Sequence, residues 1–231
     1  MAHINKSALT KMEIVHVASR MFLEKGYTAT SAKAICNELG MSTGNLTFHY
    51  PTKEHLLAVL VDLLCRFQWN TIKQETDEGK TAIMALCLEL TAMAGACEDD
   101  PIAKDFYVSS YTSPMALEMI RKNDIERAKV VFSEYCKGWS EERFAEAELL
   151  VSGIEYATLM TTESSASLEY RIMGAMRTIL SIYNVPDEVI ETKLKKVFAM
   201  DYRSIGKRVF ADFKRYVAES QESAFLELIK K

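Results

Sequence analysis

The sequence predicts an all-α chain, with a small three-helix head joined to a larger helical body. Three observations carry that prediction. Nine glycines and four prolines in 231 residues are few, and every proline falls between segments or at the first position of one. Apolar residues recur at three- and four-residue intervals over long stretches, the period of a helix with one buried face. No run alternates apolar and polar residues as a half-buried strand would.

Composition narrows the class further. Apolar residues are 48% and charged residues 26% of the chain, close to the soluble globular average, so disorder is not expected. The longest apolar stretch, Leu56 to Cys65, is interrupted by Asp62 and falls well short of the ~20 residues a membrane helix needs. The first residues, MAHINKSALTK, lack an apolar run before a small-residue cleavage site, so a cytoplasmic chain is expected. Five cysteines (Cys36, Cys65, Cys87, Cys97, Cys136) are scattered, odd in number and never spaced CxxC. They are expected to be small buried residues, with no disulfide framework, no metal and no cofactor.

The elements follow in order. Helices are expected over 8–25, 31–39, 43–49 and 53–76, with turns at Gly26-Tyr27-Thr28 and Gly40-Met41-Ser42. The first carries Ile14, Ala18, Met21 and Phe22 as a single apolar stripe, and Gly26 ends it in a left-handed conformation. Ile35 and Leu39 face inward from the second; Ser42 caps the third, where Leu46 and Tyr50 face inward. Downstream, helices are expected over 80–98, 101–111, 114–137, 141–163, 167–184, 187–199 and 202–229, the last broken near Ser220. Asp100-Pro101 and Ser113-Pro114 each set a capping side chain before a proline, whose missing N–H costs nothing in a first turn. Ser140 before Glu141 and Glu142 caps a helix and places negative charge at the positive end of its dipole. The domain break is expected near 50–56, giving domains 1–55 and 56–231, with the fourth helix running through it.

Two short helices joined by a glycine-containing turn describe a helix-turn-helix, whose second helix enters the DNA major groove. Turning Leu46 and Tyr50 inward exposes Thr43, Gly44, Asn45, Thr47 and His49, small or hydrogen-bonding side chains rather than the Glu, Lys and Arg of an ordinary surface helix. Charge agrees: residues 1–55 hold six Lys/Arg and four Glu, a net +2, while the remainder is −6. A mildly basic head on an acidic body suits a chain whose head alone meets phosphates. The competing reading is a helical hairpin that is purely structural.

The stretch from Ile14 to Leu57 resembles the TetR family of transcriptional regulators. The resemblance rests on Ala18, Phe22, Gly26-Tyr27, Ile35-Cys36, Leu39-Gly40-Met41-Ser42, Gly44-Asn45-Leu46 and His49-Tyr50-Pro51-Thr52-Lys53-Glu54-His55-Leu56. Two positions depart from the family pattern. Cys36 replaces a usual alanine, small for small. Thr47 replaces a usual tyrosine, so the base preference of this helix does not carry over. The resemblance implies that Ser42, Thr43, Gly44, Asn45, Thr47 and His49 lie in or beside the major groove, Asn45 reading an adenine edge. It implies that Lys53, at the start of the fourth helix, pairs with a phosphate and that Lys33 reaches the neighbouring backbone. His49 is read as a phosphate contact, against the plainer alternative of a neutral surface donor.

The resemblance also implies a body that binds a small effector and dimerises. Segment 141–163 carries a seam of small residues (Ala145, Ser152, Gly153, Ala157) among Leu149, Leu150, Ile154 and Tyr156. Segment 167–184 adds Met173, Ala175, Met176, Ile179, Leu180 and Ile182; helices apolar on more than one face have surface left for a two-fold partner. Met84, Leu88, Phe106, Tyr107, Tyr111, Met119, Tyr156 and Met160 are the candidate effector-pocket residues, with plain core packing as the alternative for each. Arginine and lysine are sparse there, so an apolar or weakly polar effector is expected. The expected function is therefore a homodimeric, effector-responsive repressor on a palindromic operator. A helical protein-interaction module and a metal-free helical enzyme stand as alternatives. Against the enzyme, no GxSxG, P-loop, dinucleotide fingerprint or HExxH occurs, and no histidine lies beyond His55.

Overall fold

In the computed structural model, residues 6–74 and 83–219 are described, and among them the chain forms eleven helices and no strand. The head is α1 (Lys6–Lys25), α2 (Ala32–Leu39) and α3 (Thr43–His49), and α4 (Lys53–Gln74) leads out of it. The body adds α5 (Ile83–Asp99), α6 (Pro101–Thr112), α7 (Pro114–Val131), α8 (Glu141–Leu159), α9 (Leu168–Ile182), α10 (Asp187–Phe198) and α11 (Tyr202–Glu219). The helix α5 is the hub. Nearly every residue from Ile83 to Cys97 is apolar or small and buried, and a helix apolar all round has to be enclosed. It packs against α4, α6, α8, α9, α10 and α11. The apolar stripe of α1 meets α2 and α4 on one side and α6 and α11 on the other. One buried cluster therefore runs from Met12 through the body to Val217.

Most helix ends have local causes. Asp100 accepts hydrogen bonds from the N–H groups of Ile102 (2.8 Å) and Ala103 (3.3 Å), capping α6. Ser140 accepts from Arg143 (3.2 Å) and caps α8. Ser113 precedes Pro114 as expected but makes no capping bond; its hydroxyl is buried without a hydrogen-bond partner. The expected 114–137 helix stops at Val131, because Phe132 turns inward to stack on Tyr183 with ring centroids 4.0 Å apart. The chain then reaches Gly138, at φ +80°, before α8 begins. The helix expected to 163 ends at Leu159, and beyond it the Ser165 hydroxyl accepts from the Thr162 N–H (2.8 Å). A hydroxyl that takes a backbone N–H competes with the helix ladder. The expected ends at 76 and 229, the start at 80 and the break near Ser220 lie outside the described residues.

Candidate nucleic-acid interface

The geometry of the α2–α3 unit follows from four small residues. Ser31 caps α2 by accepting from Ala34 (3.1 Å). Gly40 ends it at φ +63°, where a side chain on an L-residue is strained, and Met41 N–H then bonds back to the Cys36 carbonyl (3.0 Å). Ser42 caps α3 by accepting from Asn45 (3.2 Å). Within α3 only Leu46 is buried, and Tyr50 follows it into the core at 8% exposure. The other side of α3 is open to solvent.

The structure brings together Ser42, Thr43, Gly44, Asn45 and Thr47 on that open side, with exposed Lys33 on α2. Thr47 directs its hydroxyl back to the Thr43 carbonyl (3.1 Å). Phe48, which the sequence reading passed over, is 80% exposed. Helical period could have found it, since two residues from buried Leu46 is nearly the opposite face. Two expected contacts are placed differently. His49 is half-buried and lines a groove against α4 and α7 with His55, Met119 and Glu126; its Nδ1 is sealed without a hydrogen-bond partner. Lys53 turns inward: its ammonium donates to the carbonyls of Tyr27 (2.8 Å) and Thr30 (2.9 Å) and lies 3.9 Å from the centre of the Tyr27 ring. Burial lowers its pKa, and nearby Asp105 acts against that. The ammonium is a charged donor and these backbone carbonyls between α1 and α2 are neutral acceptors that it satisfies, so this side chain braces the head instead of reaching outward.

A second feature lies in the body, where α4, α5, α6, α7 and α8 enclose a cavity. Its volume is small, about 40 Å³. Of the eight candidate pocket residues, Tyr107 and Tyr111 line it. Leu88 and Phe106 are wholly buried core, Met119 lines the groove beside His49, and Met160 is 44% exposed at the end of α8. Met84 is half-buried on α5, and the ring of Tyr156 sits 6.5 Å from that of Tyr111. The sequence reading missed the polar wall: Glu89, Asp124, Arg127 and Glu155 all face the cavity. Arg127 pairs with Glu89 (2.7 Å) and Asp124 (2.7 Å), while Glu155 accepts the Tyr111 hydroxyl (3.0 Å). Helix α6 links the two regions. It carries Tyr107 and Tyr111 into the cavity, and its Asp105 accepts from the Thr28 N–H (3.0 Å) and hydroxyl in the head.

Burial sets the protonation of this wall. It raises the Glu89 and Asp124 carboxyls despite the Arg127 charge, and raises Glu155 well above the usual range. Glu148, bonded to the Tyr183 hydroxyl, is pushed up to about 8, by burial first and then by the Asp124 charge. An unfolded glutamate titrates near 4.5, so across that window the folded chain holds a proton that the unfolded chain has released. Stability is therefore expected to fall as pH rises through the window, by at most about 1.4 kcal/mol per pH unit for one proton. The other raised carboxyls act in the same direction. Urea unfolding at a series of pH values checks this, and Glu148→Gln should flatten the slope.

Comparison with known proteins agrees with the geometry of the head. Residues 14–60 match the family described as "Bacterial regulatory proteins, tetR family". The chain is 28% identical over 142 residues to an uncharacterised HTH-type transcriptional regulator, YxaF, of Bacillus subtilis, a match spanning 60% of this chain and 74% of that protein. Among solved structures it resembles TylP, a TetR regulator from Streptomyces fradiae, at 18% identity and TM-score 0.47 over 89% of this chain and 98% of that one. It also resembles Salmonella enterica GusR, at 22% identity and TM-score 0.45 over 83% and 98%. A family match that spans both helices of the turn, on a chain whose α3 is open along one side, identifies the head as a DNA-binding helix-turn-helix. Residues 14–60 carry the helix-turn-helix of the TetR family of transcriptional regulators.

Proposed function

We propose that the protein is a cytoplasmic, homodimeric, effector-responsive repressor, with residues 1–55 as its DNA-binding domain and 56–231 as its sensing and dimerising domain. The carrying observation is α3: one buried residue, and an open face of Thr43, Gly44, Asn45, Thr47 and Phe48. Such a face has the size and hydrogen-bonding character to enter a major groove, with Ser42 and Lys33 beside the backbone. Two copies related by a two-fold axis would meet half-sites about 34 Å apart, or a multiple of that spacing. The second copy is supported by α8 and α9, which leave Leu149, Leu150, Met160 and Tyr170 exposed. Around these lie the open small residues Ala145, Gly153, Ala157 and Gly174, so a partner helix could approach closely.

Effector response is supported by α6, which joins the cavity tyrosines to the Asp105–Thr28 contact in the head. An effector that moved α6 would move the head with it. Such a ligand has to bind the DNA-free arrangement more tightly than the DNA-bound one, since equal affinity shifts nothing.

Selection of bound duplexes from a random pool tests the reading. One palindromic sequence should emerge, with affinity falling steeply as salt rises. Asn45→Ala should then relax the choice at one base pair of each half-site, losing about 1–3 kcal/mol of discrimination. Full discrimination in that variant would remove Asn45 from base reading; failure to select any sequence would overturn the reading as a whole.

A further inference from the structure

We propose that the cavity between α4, α5, α6, α7 and α8 takes an organic cation with an apolar body, its charge set against Glu155. This rests on the reading of the body as the sensing part and names the chemistry it senses. The argument starts from the charged groups on the wall, three carboxyls (Glu89, Asp124 and Glu155) against one arginine. Arg127 is fully committed: one arm lies 2.7 Å from Glu89, the other 2.7 Å from Asp124, and its guanidinium sits 4.8 Å from the centre of the Trp69 ring. An anion would have to take this arginine from two carboxyls at once.

Glu155 is 8% exposed, and among the described residues its hydrogen bond is the one from Tyr111. A carboxylate offers about four acceptor positions, so most of its capacity faces the cavity unused. A neutral apolar guest would leave that capacity unmet in a dry site, whereas a cation supplies both charge and N–H donors. The rest of the wall suits such a guest. Tyr107 and Tyr111 present aromatic faces that attract a cation, while Leu86, Leu90 and Met93 surround an apolar body. The open room of about 40 Å³ admits a few atoms as it stands, and a flexible methionine can withdraw to enlarge it. The proposal departs from the apolar or weakly polar guest expected from sequence, where the residues supplying the charge are scattered over three helices.

The groups facing Glu155 are Tyr111 on α6, Asp124 and Arg127 on α7, and Glu148 on its own helix. Burial and the neighbouring carboxyls raise the Glu155 pKa well above its ordinary value, and a cation bound against it acts in the opposite direction.

Three probes of nearly one shape separate the charges: benzamidine as cation, benzamide as neutral and benzoate as anion. Calorimetric titration of the full chain should show benzamidine binding at least tenfold more tightly than the other two. E155Q should keep its fold, because glutamine has nearly the same shape and can still accept from the Tyr111 hydroxyl, yet lose benzamidine affinity at least tenfold. Benzamide or benzoate binding as well as benzamidine, no benzamidine binding at millimolar concentration, or E155Q binding it unchanged would each overturn the proposal. Release of the selected operator is read separately. Benzamidine that binds without weakening operator affinity keeps the cation site and removes the effector role. A neutral guest that releases DNA does the reverse.

Discussion

Replacing Leu149 and Leu150 together with glutamate should abolish the proposed dimer and leave a monomer of 26.1 kDa. Light scattering at micromolar concentration reads the change directly. The two side chains are 54% and 47% exposed in the single chain, so the substitutions remove little of its own core and should leave the thermal midpoint of the monomer nearly unchanged. In a two-fold interface each residue acts twice. Full burial of a leucine is worth about 1.5–3 kcal/mol and about half of each side chain is still open, so four leucines contribute roughly 3–6 kcal/mol to such an interface. Four introduced carboxylates would instead face one another. Operator affinity should fall with the dimer, by about a hundredfold or more, because two linked half-site contacts become two independent ones. A double variant that remains dimeric would place the interface elsewhere, whatever its effect on DNA.

The open leucines Leu149 and Leu150 of α8 were legible in the sequence for a simple reason, whereas Met176, Ile179 and Leu180 of α9, read there as surplus apolar surface, are buried within the chain. Small residues and leucines at helical spacing on more than one side leave something to cover, and no tertiary knowledge is needed to see it. The same holds for the head, where Gly40 and Ser42 act on their immediate neighbours and the turn follows from local chemistry. What sequence could not supply were the outcomes decided across the fold. Lys53 reads as an outward cation until the carbonyls of Tyr27 and Thr30 are found beneath it. The 114–137 segment reads as one helix until Phe132 finds Tyr183, fifty-one positions onward. The cavity is the strongest case. Glu89, Asp124, Arg127 and Glu155 each look like surface charges on amphipathic helices, and only the convergence of α5, α7 and α8 makes them a buried wall. Periodicity identifies which face of a helix is polar. It cannot say that three such faces meet.

Gly206 makes the same point from the side of packing, and its replacement by alanine should have the largest effect on stability. In sequence it is an unexplained glycine inside the amphipathic helix α11, where helix propensity alone favours alanine by about 1 kcal/mol. The structure reverses the sign. A Cβ built there would lie 2.1 Å from the carbonyl oxygen of Ala92 and 2.9 Å from its carbonyl carbon, both backbone atoms of α5. No rotamer change relieves a clash between one backbone and a methyl on another, so α11 has to move away from the hub helix. Overpacking of a tight core costs about 1–3 kcal/mol when neighbours can yield, and here they cannot, so a loss of about 3 kcal/mol or more is expected. Because α11 also packs on α1, the displacement should loosen the seat of the head as well as the body. Gly44→Ala is the control, since a Cβ there meets nothing nearer than 4.0 Å and the thermal midpoint should hold. Equal midpoints for the Gly206→Ala variant and the parent chain would mean that α5 and α11 do not approach this closely. The close approach, rather than the conformational freedom of glycine, is what requires the residue at this position.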